Sequence, residues 1–283
     1  MPSTPAESSL FVIATPIGNL GDLGDRARAT LLAAPVVAAE DTRRARALLS
    51  HLGATGKELV RLDAHATATD IERLADRIAG GTNVALVTDA GTPGVSDPGS
   101  ALVRAVQSRG ARVVPIPGPS AVSAAISVAG FATTAFRFAG FLPRGRLERT
   151  EALARIAADP DLVVFFEAPQ RMAETLADLA RVIPDREALV ARELTKLHEE
   201  LLRGVIHELA AENADREWLG EITVVVGPRA AAERQVMDDD AVDARIDALF
   251  AEGRRAKEVA EILSLELAIP KRDAYERVNR RKR

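Results

Sequence analysis

From Thr88 to Gly99 the chain reads Thr88-Asp-Ala-Gly-Thr-Pro-Gly-Val-Ser-Asp-Pro-Gly99. Three glycines and two prolines in twelve residues leave a backbone with little side-chain bulk. Such a segment can lie against a ligand and offer it N–H groups. Asp89, directly after an apolar run, is suited to accept a hydrogen bond from a ribose or an amine. A second loop of this kind is Thr15-Pro-Ile-Gly-Asn-Leu-Gly-Asp-Leu-Gly24. Its glycines do not make G-x-G-x-x-G and there is no Walker pattern, which argues against a dinucleotide or P-loop site. The third loop is Pro117-Gly-Pro-Ser-Ala121, where Ser120 fits a helix cap as well as a ligand contact. Polar clusters accompany these loops: Glu40-Asp-Thr-Arg43, Glu167, and Arg192-Glu-Leu-Thr-Lys196. Glu40, Asp41, Glu167 and Glu193 are candidates to take up a proton, and the residues do not rank them. Arg43 and Lys196 suit phosphate better than base catalysis. His51, His65, His198 and His207 show no metal spacing and read as surface or packing residues.

The elements around the loops alternate. Short apolar runs at 10–14, 36–39, 59–62, 84–87 and 112–115 are separated by helical stretches. Helices are expected near 25–34, 43–51, 69–79 (capped by Thr69) and 100–108. Buried runs between helices predict a mostly parallel sheet covered on both faces. The breakers in Ile116-Pro-Gly-Pro mark a crossing, followed by a small-residue helix over 121–129. Beyond it, strands at 136–142, 162–167, 188–193, 200–206 and 221–226, with helices at 147–158 and 170–182, predict a mixed sheet. The last strands follow one another with little helix between them. Three gly/pro loops at successive strand ends point to one cleft, since open sheets bind ligands outside the carboxyl ends of their strands.

The C-terminal part differs in composition. Residues 253–283 carry net +5, whereas the whole chain carries −4. Residues 229–240, ending in Asp238-Asp-Asp240, read as a linker. Three short helices are expected at 241–250, 256–267 and 272–280, the last started by Pro270. The expected organisation is 1–116 and 117–228 as two α/β domains, 229–240 as a linker and 241–283 as a basic helical module. A basic module on an acidic body suggests an anionic partner. The absence of cysteine excludes disulfides, thiolate metal sites and a thiol nucleophile. The polar start and the short first apolar run do not make a signal peptide or a membrane span, so a cytoplasmic location is expected.

Several strings together carry a family resemblance: Ala14-Thr-Pro-Ile-Gly-Asn-Leu-Gly-Asp22, Ala39-Glu-Asp-Thr-Arg43, Thr88 to Gly94 with Ser96-Asp-Pro-Gly99, Pro115 to Ala121, Gly140-Phe-Leu-Pro143 and Ala191-Arg-Glu-Leu-Thr-Lys196. In order and spacing, from about residue 10 to 228, the chain resembles the ribosomal RNA small subunit methyltransferase I family. The resemblance implies the tetrapyrrole methylase fold, two α/β domains with S-adenosylmethionine (SAM) between them. It implies 2′-O-methylation of a decoding-site cytidine in 16S rRNA by a homodimer. It also implies cofactor contacts from Asp89, Ala90, Gly91, Ser120, Ala121, Phe166 and Arg192. Arg254, Arg255, Lys257, Lys271, Arg272, Arg277 and Arg280 are the RNA-binding candidates of the basic module, beside Arg43 and Lys196. No metal is required. The biosynthetic members of the fold open with G-x-G-P-G-D after the first strand, and this chain does not, which argues against the alternative of a porphyrinoid methylase. A non-catalytic RNA-binding assembly factor, the other alternative, would need no cofactor cleft.

Overall fold

The computed structural model describes residues 8–94, 99–132, 134–229, 239–266 and 271–282. The first sheet contains β1 (Ser9–Ile13), β2 (Val36–Ala39), β3 (Glu58–Arg61), β4 (Val84–Val87) and β5 (Arg112–Ile116), all parallel in the order β3-β2-β4-β1-β5. Alternate residues along each strand face opposite ways, so each strand serves two cores. Leu10, Val36, Ala38, Val84 and Leu86 pack under α3 (Ala68–Ala79) and α4 (Ser100–Ser108). Ile13, Val37, Ala39, Ala85 and Val87 pack under α1 (Asp25–Ala33) and α2 (Thr42–His51). This double coverage is what continuous apolar runs require. One helix start differs from expectation. Thr67, not Thr69, caps α3, through a reciprocal box with Asp70. Thr69 has Glu72 three residues on and offers the same spacing, so the sequence held two possible starts.

The second sheet contains β6 (Phe136–Phe141), β7 (Leu162–Glu167), β8 (Glu187–Arg192), β9 (Glu200–Val205) and β10 (Ile222–Val226), in the order β6-β7-β10-β8-β9. β6 and β7 are parallel and the other pairs antiparallel, the expected mixed sheet. The small residues of α5 (Ala121–Ala129) let it sit close on one face, against Leu162, Val164, Leu189 and Val225. The other face is covered by α6 (Arg146–Ala158), α7 (Met172–Val182) and α8 (Ile206–Glu212). α8 was not anticipated; β9 stops at Val205, and Ile206 and Leu209 then bury one side of a short helix.

Both sheets belong to one compact unit, Met1–Pro228, and Arg229–Arg283 forms a second. The second unit holds α9 (Asp239–Ala251), α10 (Ala256–Glu266) and α11 (Lys271–Lys282) around Val242, Ile246, Leu249, Val259, Leu263, Ala274 and Val278. α9 starts at Asp239, so the end of the expected 229–240 linker is helical. Residues 230–238 of that linker, Pro270, and Ser96-Asp-Pro98 of the long loop lie outside the described residues. Among the described residues no helix is long and apolar enough to cross a membrane.

Candidate functional site

Within the first unit, the carboxyl ends of β1, β2, β4 and β5 form one wall of a cleft of about 510 Å³. That volume is in the range of small-ligand sites. Ile17, Glu40, Arg44, Asp89 to Thr92 and Ser120 to Val122 line this side. Backbone bonds tie the loops together. Thr15 N–H donates to Gly91 O at 2.9 Å, and Gly91 N–H donates to Thr15 O at 3.0 Å. Thr92 Oγ1 donates to Pro119 O at 3.2 Å. The Gly91 N–H is thus engaged within the protein. What demands glycine there is a φ of +77°, a left-handed conformation that side chains resist. Gly118 is favoured for another reason, since a Cβ would lie 3.1 Å from the Ala14 Cβ, a close contact that Ala14 would have to yield to. Asp89 joins the ends of β2 and β4: one oxygen accepts from Asp41 N–H at 3.1 Å, the other lies 3.5 Å from Arg44 Nε. Ser120 stands at the N-cap of α5, yet its side chain makes no capping bond and lines the cleft.

The opposite wall comes from the second sheet: Phe141, Phe166 to Pro169 and Gly220 to Thr223. Its aromatic corner depends on a bulge. Phe138 pairs with Val164 and Phe141 with Phe166, so β6 holds one more residue than β7 over that stretch. Gly140, at φ +67°, lies within it. The extra residue lets two phenylalanines three apart meet the same ring: Phe138 and Phe141 lie 4.9 and 5.5 Å from Phe166 between centroids. Phe141 remains 58% exposed, an apolar ring face turned to the cleft.

The four acidic candidates have different surroundings. Asp41 caps α2 and bonds Arg43; the Arg43 guanidinium and amide hold its carboxyl far below the usual range. The Glu167 carboxylate is buried. One oxygen accepts from Ala168 N–H at 2.7 Å and pairs with Arg171; the other accepts from Thr175 Oγ1 at 2.7 Å, with Arg149 3.6 Å away. Glu193 sits off the cleft lining, on a loop where it and Thr195 adopt positive φ. Burial raises its carboxyl, but Lys196 and the Glu221 amide outweigh burial and leave it below the ordinary value. Glu40 lines the cleft, and burial together with Asp89 and Asp63 pushes its carboxyl up.

A model of the tetrapyrrole (corrin/porphyrin) methylases matches residues 9–210. The chain belongs to this family. Ribosomal RNA small subunit methyltransferase I of Xylella fastidiosa is 45% identical over 227 residues, 79% of this chain and 82% of that protein. The protein of the same name from Mesorhizobium japonicum is 41% identical over 264 residues, 93% of this chain and 90% of its own. Two solved structures, a diphthine synthase and the cobalt precorrin-4 methyltransferase CbiF, share the fold with TM-scores of 0.61 at 17% identity. They cover 78% and 80% of this chain and 90% and 98% of their own. This tetrapyrrole methylase is a methyltransferase and its cofactor is SAM. The cleft fits that group, with apolar surface from Ile17, Val122, Phe141 and Phe166 and polar groups from Asp89, Thr92 and Ser120.

Of the expected cofactor residues, Asp89, Ala90, Gly91, Ser120, Ala121 and Phe166 line the methylase cleft. Arg192 does not. Its guanidinium donates to Glu200 at 2.9 Å and to the His198 carbonyl at 3.1 Å. Lys196, expected to hold phosphate, has its charge taken up by Glu193 and Glu221 at 2.7 and 3.0 Å. Arg43 points outward, 86% exposed apart from its Asp41 pair. In the C-terminal unit Arg277 pairs with Asp243, Arg272 with Glu276 and Arg254 with Glu252. Arg255, Lys257 and Arg280 are exposed. The Lys271 side chain is outside the described residues. Sequence reasoning missed Arg44, which follows Arg43 but lines the cleft, and passed over Phe141 as a site residue although it lay within a quoted string. Consecutive residues of a helix point about 100° apart, and that offset between Arg43 and Arg44 was the available signal.

Proposed function

We propose that the chain transfers the methyl group of SAM to a cytidine ribose 2′-hydroxyl at the decoding site of 16S rRNA, as a cytoplasmic homodimer. The observation that carries this reading is the 41% identity over 93% of the chain to a protein named ribosomal RNA small subunit methyltransferase I. That match spans more than the cleft-bearing unit. SAM supplies a methyl group made electrophilic by a sulfonium. The protein's contribution is orientation: Asp89 and the Ser120 loop hold the cofactor while the acceptor enters beside Arg44. Fixing the reactants in line is worth about 7–11 kcal/mol of the barrier.

The deciding experiment supplies the purified protein with methyl-labelled SAM and small subunits lacking the mark, then analyses the digested RNA by mass spectrometry. Label on a cytidine ribose is expected; a labelled base with an unmodified ribose overturns the reading. The RNA-binding role of the C-terminal unit is tested by truncation after Arg229. Arg255, Lys257 and Arg280 are exposed and outside the ion pairs of their neighbours. Losing about three phosphate contacts reduces the log–log salt slope of RNA binding by about 2–3. An unchanged slope in a folded, SAM-binding truncation makes the helices structural.

A further inference from the structure

The acidic groups lining the cleft are Glu40, Asp89, Glu167 and Glu221. Three of them already have partners within the protein. Asp89 accepts the Asp41 amide and pairs with Arg44. Glu167 is enclosed by Ala168, Arg149, Arg171 and Thr175, with no exposed side-chain surface. Glu221 is the partner of Lys196. Glu40 is different. It follows the last residue of β2 and is partly buried, and it makes no hydrogen bond or ion pair among the described residues. A carboxylate kept half out of water in a cleft, without a partner, costs the fold something and gives it nothing structural.

We propose that the Glu40 carboxylate is the base that takes the proton of the acceptor hydroxyl. This rests on the reading of a ribose hydroxyl as acceptor. In the step, the 2′-oxygen bonds to the methyl carbon as the carbon–sulfur bond breaks, and that electron pair stays on sulfur. The hydroxyl proton passes to a Glu40 Oε and from there to solvent. The surroundings suit the task. Burial disfavours the charge of Glu40 most, followed by Asp89 at the end of β4 and Asp63 after β3, with a smaller part from Asp41; Arg44 on α2 opposes them. The result is a carboxyl whose affinity for a proton is above that of an ordinary glutamate, which improves a base working near neutral pH. Arg44, 61% exposed on the same rim, is placed to meet the acceptor's phosphate.

The test uses the full chain, labelled SAM and unmethylated small subunits under single-turnover conditions. Glu40→Gln is expected to lower the rate by about 10²–10⁴-fold, the usual worth of a positioned base. SAM affinity by calorimetry is expected to stay within about twofold, because no cofactor contact is removed. Glu40→Asp, which keeps the carboxylate but shortens it, is expected to recover part of the rate. The rising acid limb of the wild-type pH–rate profile disappears in Glu40→Gln. In the SAM-free protein, ¹³C NMR of labelled glutamate side chains is expected to show one resonance titrating above the usual glutamate range and missing from Glu40→Gln. A folded Glu40→Gln with wild-type rate and pH profile overturns the assignment while ribose labelling keeps the reaction standing. A parallel loss of SAM affinity also overturns it, since the residue would then hold the cofactor. Label on a base instead of a ribose removes the reaction itself, whatever Glu40 does.

Discussion

The two walls of the cleft are held by different means. On the first-sheet side, loops at strand ends are joined by backbone bonds, such as the pair between Thr15 and Gly91, and by close approach at Gly118. On the second-sheet side, charged side chains do more of the joining: Glu167 with Arg149 and Arg171, and the lining residue Glu221 with Lys196. The first arrangement needs glycine and proline at set places. The second needs only that opposite charges meet after folding. The first wall should therefore fail through backbone strain and the second through unpaired charge.

The largest effect is expected on the second wall. Glu167→Ala leaves Arg171, its side chain 19% exposed, facing a cavity without its carboxylate, and leaves Arg149 with Asp178 alone. Removing one member of a buried ion pair costs about 3–5 kcal/mol. Urea denaturation should show that loss, and a change below about 1 kcal/mol would mean that the network adds little. The first wall should respond less. Gly91→Val forces a β-branched residue into φ +77°, while its Cβ meets only Ile17 Cγ2 at 3.5 Å and Pro119 O at 3.9 Å. Strain of this kind costs about 1–3 kcal/mol. Because the strain lies two residues from Asp89, SAM affinity should fall in calorimetry although the protein remains folded. Retained affinity would separate the loop from the cofactor. Smaller again is Phe141→Ala. The ring is exposed, so stability should hardly move, but a ligand stacked on it should lose about 0.5–1.5 kcal/mol of binding.

The same contrast explains what was legible in the sequence. The five parallel strands and their glycine-rich loops were readable because each depends on local signals, apolar runs and conformationally special residues. The choice between Thr67 and Thr69 was not, because both carry an acidic residue three positions on. The bulge at Gly140 was passed over although its marks are local: a glycine inside the strand and a step of three from Phe138 to Phe141. Arg192 was expected in the cleft from a motif, and Glu200, eight residues on across the β8–β9 pair, takes its guanidinium instead. Glu167 and Glu40 both ended apolar strands and looked equivalent. Only the fold brings Arg149 and Arg171 to one and leaves the other without a hydrogen bond or ion pair among the described residues.

The smallest expected effect tests that last difference by its sign. Glu40 is raised by burial and by Asp89 and Asp63, so the fold favours its protonated form. Its contribution to stability is present below the unfolded value and is lost as pH rises through the higher folded value. Glu193 is lowered because Lys196 and the Glu221 amide outweigh burial, so the fold favours its charged form. Its contribution is present above the unfolded value and is lost as pH falls through the lower folded value. Glu40→Gln should therefore be slightly more stable than wild type at neutral pH, with the gain vanishing in acid. Glu193→Gln should be less stable at neutral pH and converge on wild type in acid, since protonation removes the same charge. Urea midpoints of the two variants across pH 3–8 should move in opposite directions from wild type as pH rises. Parallel curves would mean that both carboxylates serve the fold alike, and the unpartnered state of Glu40 would lose its meaning as the mark of a group kept for chemistry.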